Sequence, residues 1–219
     1  GYETTAAKCF MAREAVDRGR TVIVTTTTHI MPHPGICLTG DGREEALRAA
    51  LAAHGIVTLG VMDRSDKMSG TGSIAVCASA ADVVLVEGDG ARIKPLKVPA
   101  DHEPVIPRES RAVVAVAGLD ALDKPIRATC HRPERVAVFL KKGLDEPVTE
   151  ADMAAILSSP AGGRKDVEPY MSFRCLLNKA DTPRLQERGE RIAGELIEKG
   201  IPTWVGHYSE KERGGRCWF

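Results

Sequence analysis

The sequence has no net charge, no closely spaced cysteine pair and no long apolar run. Its 30 basic side chains balance 30 acidic ones across 219 residues. That balance argues against broad binding to nucleic acid or to an anionic membrane, since both select a cationic surface. The six cysteines (Cys9, Cys37, Cys77, Cys130, Cys175 and Cys217) are scattered, with no C-x-x-C pair. They read as reduced thiols of a cytoplasmic protein rather than as a disulfide framework or a zinc site. No apolar stretch approaches a membrane span, and no signal peptide is expected. The histidines lack metal-type spacing. A full phosphate loop of the form G-x-x-x-x-G-K-[ST] is also missing. Gly1-Tyr2-Glu3-Thr4-Thr5 matches only its end, with Tyr2 where glycine is expected and Glu3 where the phosphate lysine belongs. A carboxylate there repels phosphate, at a cost on the order of several kcal/mol in a dry site. The strand that precedes such a loop is expected to be missing ahead of Gly1.

What is present is an alternating α/β pattern. Apolar residues make up 43% of the chain, enough for a full core. Thr4 to Arg18 has helical spacing, closed by Gly19. Val22-Ile23-Val24 is a short strand, prolonged by Thr25 to Thr28, a row of hydroxyls at its carboxyl end. Arg43 to His54 reads as a helix and Ile56 to Val61 as a strand. Asp63 to Gly72 reads as a loop, and Lys94 to Pro107 as a proline-rich one. Val83-Val84-Leu85-Val86 is apolar on every residue, which predicts a strand inside a mainly parallel sheet. It runs straight into Glu87-Gly88-Asp89-Gly90, acids at the end of a strand where ligands of α/β sheets bind. Ala112 to Ala117, Ser172 to Leu177 and Ile201 to Val205 are further strands. Arg132 to Lys142, Thr149 to Ser158 and Pro183 to Lys199 are helices. Thr149 and Asp152 form a variant capping pattern, and Pro183 suits a helix start.

These elements predict a mainly parallel sheet with helices on both faces. The expected division is an α/β core over 1–130, a small helical insertion over 131–168, the core resumed over 169–208, and a tail over 209–219.

Asn178-Lys179-Ala180-Asp181 stands directly after the Ser172–Leu177 strand. N-K-x-D in that place is the guanine-reading element of GTP-binding P-loop proteins. The aspartate accepts hydrogen bonds from guanine N1 and N2, the lysine stem lies against the base, and the asparagine braces neighbouring loops. Adenine has no such donor pair. The bland alternative is a turn that caps the helix beginning at Pro183.

Several longer motifs follow one another in order: Thr25-Thr26-Thr27-Thr28-His29-Ile30, Val84-Leu85-Val86-Glu87-Gly88-Asp89-Gly90-Ala91, Pro95-Leu96-Lys97, His102-Glu103-Pro104-Val105-Ile106-Pro107, Gly118-Leu119-Asp120-Ala121-Leu122, His131-Arg132-Pro133-Glu134 and Leu177-Asn178-Lys179-Ala180-Asp181. Together they resemble the YqeC-type accessory proteins of selenium-dependent molybdenum hydroxylases, from about Thr4 to Gly200. The resemblance implies a P-loop NTPase-like fold, GTP or ATP with Mg²⁺ as cofactors, and a molybdenum hydroxylase or a selenium-handling protein as partner. It places Thr4, Glu87 and Asp89 at the metal. Thr4, Thr5, Thr28, His102, Glu103, Asn178, Lys179 and Asp181 contact the nucleotide. His29 and Asp89 act in catalysis, with Thr28 and His29 as a switch loop near the γ-phosphate. Glu3 at the lysine position predicts slow hydrolysis. The rival expectation is a non-catalytic binding or delivery protein.

Overall fold

The protein is an α/β structure with parallel sheets flanked by helices, described by a computed structural model over Tyr2–His33 and Gly35–His207. Side chains of residues 2–7 and of Cys9 are outside the described set, as is the expected tail from Ser209. The chain divides into two compact units. Among the described residues, one unit holds Thr5–Gly90 with Val105–Glu109; the other holds Tyr2–Thr4, Ala91–Pro104 and residues 110–207.

The first unit runs α1 (Tyr2–Asp17), β1 (Val22–Thr26), β2 (His29–Ile30), β3 (Cys37–Thr39), α2 (Glu44–His54), β4 (Ile56–Leu59), β5 (Val61–Met62), β6 (Met68–Ser69), α3 (Ile74–Ala80) and β7 (Val83–Glu87). Its main sheet is parallel, in the order β3-β4-β1-β7, and a small antiparallel sheet has the order β2-β6-β5. Strand side chains alternate between faces. Ile23, Val57 and Leu59 therefore pack with Leu47 and Leu51 of α2 and with Cys77 and Ala80 of α3. Val22, Val24 and Ile56 take the other face, with Ala12 of α1 and Ile36.

Two local expectations change. The Asp63 to Gly72 loop contains β6, held antiparallel to β2 and β5. β7 is not an interior strand: among the described residues it pairs with β1 alone. Its apolar run has a different cause. Val83 and Leu85 join the α1 face while Val84 joins the α2/α3 face, so both faces are covered without a neighbour on both edges.

The second unit runs β8 (Leu96–Lys97), β9 (Ala112–Gly118), a 3-10 turn at Leu119–Ala121, α4 (Ile126–Thr129), β10 (Cys130–His131), α5 (Pro133–Leu140), α6 (Glu150–Ser158), β11 (Ser172–Asn178), α7 (Pro183–Glu198) and β12 (Thr203–Val205). β12-β11-β9 form one parallel sheet and β10-β8 a two-stranded parallel one. α5 and α6 fall within residues 131–168. Val136, Met153 and Ile156 of these helices share one core with Leu119, Leu177, Ile192 and Leu196. The start of α6 is fixed by a reciprocal cap. Asp152 N–H donates to Thr149 Oγ1 at 3.2 Å, and Thr149 N–H donates to Asp152 Oδ2 at 2.8 Å. Such a cap contributes about 1 kcal/mol.

Candidate functional site

β9, β11 and β12 run parallel, so the residues that follow them emerge at one edge of the sheet. Asn178 ends β11 and is buried, at 1% exposure. Its Oδ1 accepts the Lys179 N–H at 2.7 Å. Lys179 sits at a φ of 64°, in the left-handed region that a non-glycine residue enters at a cost. That kink turns the chain out of the strand. Three residues on, Thr182 caps α7 by accepting the Leu185 N–H at 3.2 Å, and Pro183 takes the first helical turn.

Sequence reasoning missed two partners at this edge. Lys179 Nζ donates to Asp120 Oδ2 at 3.0 Å, from the turn that follows β9. His207 Nδ1 bonds Asp181 Oδ1, from the turn after β12. The edge is stitched by backbone bonds as well: Gly206 N–H donates to Leu177 O at 2.9 Å and Ala180 N–H to Gly206 O at 3.2 Å. The arrangement presents a half-exposed lysine stem, an exposed carboxylate at Asp181 and a second carboxylate at Asp120. It can accept hydrogen bonds from a donor-bearing heterocycle laid along the lysine.

His102 and Glu103 lie elsewhere in the same unit. Lys97 and His131 are register partners on β8 and β10. Lys97 Nζ donates to Glu103 Oε2 at 2.8 Å. Arg132 binds the same carboxylate through both guanidinium nitrogens, one of them at 3.1 Å. Burial alone raises the Glu103 carboxyl, but the bonds from Arg132 and Lys97 outweigh it and hold the group at about 2. Burial lowers the neighbouring His131, and the cations Lys97 and Arg132 add to the effect. Glu103 is thus an anchor between two cations. His102 is mostly exposed, 3.7 Å from Glu103 Oε1.

The remaining predicted residues, Thr4 apart, belong to the first unit. The threonine run spends its hydroxyls on backbone: Thr25 donates to Leu59 O at 2.8 Å, Thr26 to Glu87 O at 2.9 Å and Thr27 to Val105 O at 2.7 Å. Thr28 donates its N–H to Thr26 Oγ1 at 2.9 Å. His29 opens β2 with Nε2 3.0 Å from Asp63 Oδ2, both half-exposed. Thr4 and Thr5 lie in α1, and their side chains are outside the described set.

Glu87 ends β7 at 3% exposure, and its carboxylate holds the Lys8 ammonium. Lys8 is a residue the sequence did not single out. Lys8 bonds one of the two carboxylate oxygens, so in this structure Glu87 is half of a buried ion pair. Among the described residues no three His, Cys, Asp or Glu side chains are grouped to hold a metal. Asp89 follows β7 and is half-buried.

The buried thiols are poor nucleophiles. Cys175, on β11 as expected, is fully buried, and burial pushes it and Cys130 up to about 12. Neither is a thiolate at neutral pH. Among the described residues, no helix is long and apolar enough to cross a membrane.

These features define an α/β protein with parallel sheets, compatible with a P-loop NTPase-like fold, and with an N-K-x-D turn at the carboxyl edge of one sheet. The family model for the YqeC protein matches residues 4–134. The chain is 31% identical over 164 residues to the protein YqeC of Escherichia coli (strain K12). That alignment covers 68% of this chain and 61% of the relative, so the chain spans about three-fifths of the length of the curated relative it matches. The chain belongs to the YqeC family. No solved structure matches it.

Proposed function

We propose that this chain binds a purine nucleotide, GTP in preference to ATP, at the carboxyl edge of β9, β11 and β12. The observation that carries the reading is Asn178-Lys179-Ala180-Asp181 in the turn between β11 and α7, with Asn178 buried and Asp181 exposed at the edge. A carboxylate accepts from both guanine N1–H and N2–H. A site built around such donors rejects a base that lacks them far more strongly than it rejects a mere change of size. In this reading Lys179 stacks on the base and Asp181 selects it. The biological role proposed, supported by the family resemblance, is maturation of a selenium-dependent molybdenum hydroxylase in the cytoplasm. The partner would be that hydroxylase or a selenium-handling protein.

A second reading, a non-catalytic binding or delivery protein, is favoured by Glu3 at the position of the phosphate lysine. No step is assigned to a protein-bound Mg²⁺. Calorimetric titration with GTP and ATP, each with and without Mg²⁺, tests the proposal. Saturable binding of GTP well ahead of ATP supports it. Absence of GTP binding, or equal affinities, rejects it. Turnover alongside binding separates the enzyme from the delivery protein.

A further inference from the structure

Asp120 lies at the β9–β11–β12 edge, and its bonding there is incomplete. Its Oδ2 accepts from Lys179 Nζ at 3.0 Å. Its Oδ1 is out of contact with water and has no hydrogen-bond partner among the described residues. A carboxylate oxygen shielded from water and lacking a donor is unfavourable, and such a group in a native fold calls for a missing partner. The side chain as a whole is 32% exposed and its Lys179 partner 31%, so the pair lies at the surface of the edge rather than beneath it. The terminal torsion of an aspartate is soft. A small rotation of the carboxylate therefore presents Oδ1 to an approaching donor.

The position of Asp120 along Lys179 says which donor. Asp181 is bonded to His207, while Asp120 holds the far end of the Lys179 side chain, its ammonium. A base laid along the lysine stem with its N1/N2 edge at Asp181 directs its opposite edge toward the ammonium. That opposite edge carries the glycosidic bond. The nucleoside donors at that end are the sugar hydroxyls.

We propose that Asp120 is a ribose-reading residue: its Oδ1 accepts a hydrogen bond from a sugar hydroxyl, so that the site selects ribonucleotides over deoxyribonucleotides. The inference rests on the guanine reading above and adds the sugar to it. Asp120 has a second duty, since its Oδ2 fixes the lysine against which the base lies. Both duties come from a residue 59 positions earlier in the chain than Lys179.

The test is calorimetry on the unmodified chain with GTP, 2′-deoxyGTP and 3′-deoxyGTP, so it does not depend on a variant folding. A hydrogen bond to a charged acceptor predicts that at least one deoxynucleotide binds about 10- to 100-fold more weakly than GTP. Asp120→Ala, checked for its melting temperature, should bind GTP more weakly and should discriminate between GTP and the weaker deoxynucleotide by less than about 3-fold, because alanine offers a sugar hydroxyl neither an acceptor nor a donor. Equal affinity of the unmodified chain for all three nucleotides overturns the role of Asp120 and leaves the guanine reading standing. Failure to bind GTP at all overturns both. Discrimination that survives intact in Asp120→Ala overturns the assignment of the sugar contact to Asp120.

Discussion

Replacing Glu103 by glutamine removes the charge that Lys97 and Arg132 share. The Glu103 side chain is 18% exposed, so its ion pairs are only partly screened by water. Its carboxyl sits at about 2 in the folded protein, against an ordinary 4.5. By linkage that difference corresponds to about 3 kcal/mol of stability at neutral pH. The folded value is the lower one. The contribution is therefore complete above 4.5 and is lost as pH falls from 4.5 toward about 2. At pH 3 the same linkage relation leaves less than half of it. Urea unfolding of wild type and Glu103→Gln at pH 7 and at pH 3 measures this directly. Taking the difference between the two proteins at each pH cancels the titration of the other carboxylates. The expected gap is on the order of 3 kcal/mol at pH 7, shrinking to less than half at pH 3. A gap of the same size at both values refutes the ion-pair account of Glu103.

Two further outcomes are expected. Gly70 faces β1 so closely that an added Cβ would stand 1.9 Å from Thr26 O, whereas Gly194 on α7 has nothing within 4 Å; Gly70→Ala should cost about 1–3 kcal/mol and Gly194→Ala should stabilise by about 0.5–1 kcal/mol, read from thermal melts. If the chain binds GTP, it should turn it over more slowly than Glu3→Lys, since charge stabilisation dominates phosphoryl transfer; equal rates in a phosphate-release assay would remove Glu3 from the account.

The long periodic elements were legible in the sequence because their signals are local. α7 carries Leu185, Ile192 and Leu196 at helical spacing, and the Thr149/Asp152 cap lies within one turn. The two-residue strands were not. Leu96–Lys97 and Cys130–His131 become strands only by pairing with each other across more than 30 residues, and prolines surround the first of them. α3 escaped notice because Ile74–Ala80 is only two turns long and is mostly small residues. The edge position of β7 was hidden for a different reason. An apolar run records that both faces of a strand are covered, and it carries no information about which of its edges is paired.

The candidate site divides along the same line. Asn178, Lys179 and Asp181 form a contiguous motif at a predicted strand end. Asp120 and His207 reach them only through the strand order β12-β11-β9, which no local pattern encodes. Lys8 was hidden likewise, 79 residues from Glu87. With Lys8, Glu87 is half of a buried ion pair.

The central claim, that Asp181 reads the base, is tested most directly by exchanging its hydrogen-bonding character. Asp181→Asn replaces an oxygen acceptor with an amide donor. Xanthine differs from guanine by carrying a carbonyl where guanine has its N2 amino group. The account predicts that Asp181→Asn loses about 10- to 100-fold in affinity for GTP, the scale of a mismatched charged hydrogen bond, and gains affinity for xanthosine triphosphate over wild type in the same calorimetric titration. Unchanged GTP affinity in Asp181→Asn would contradict it.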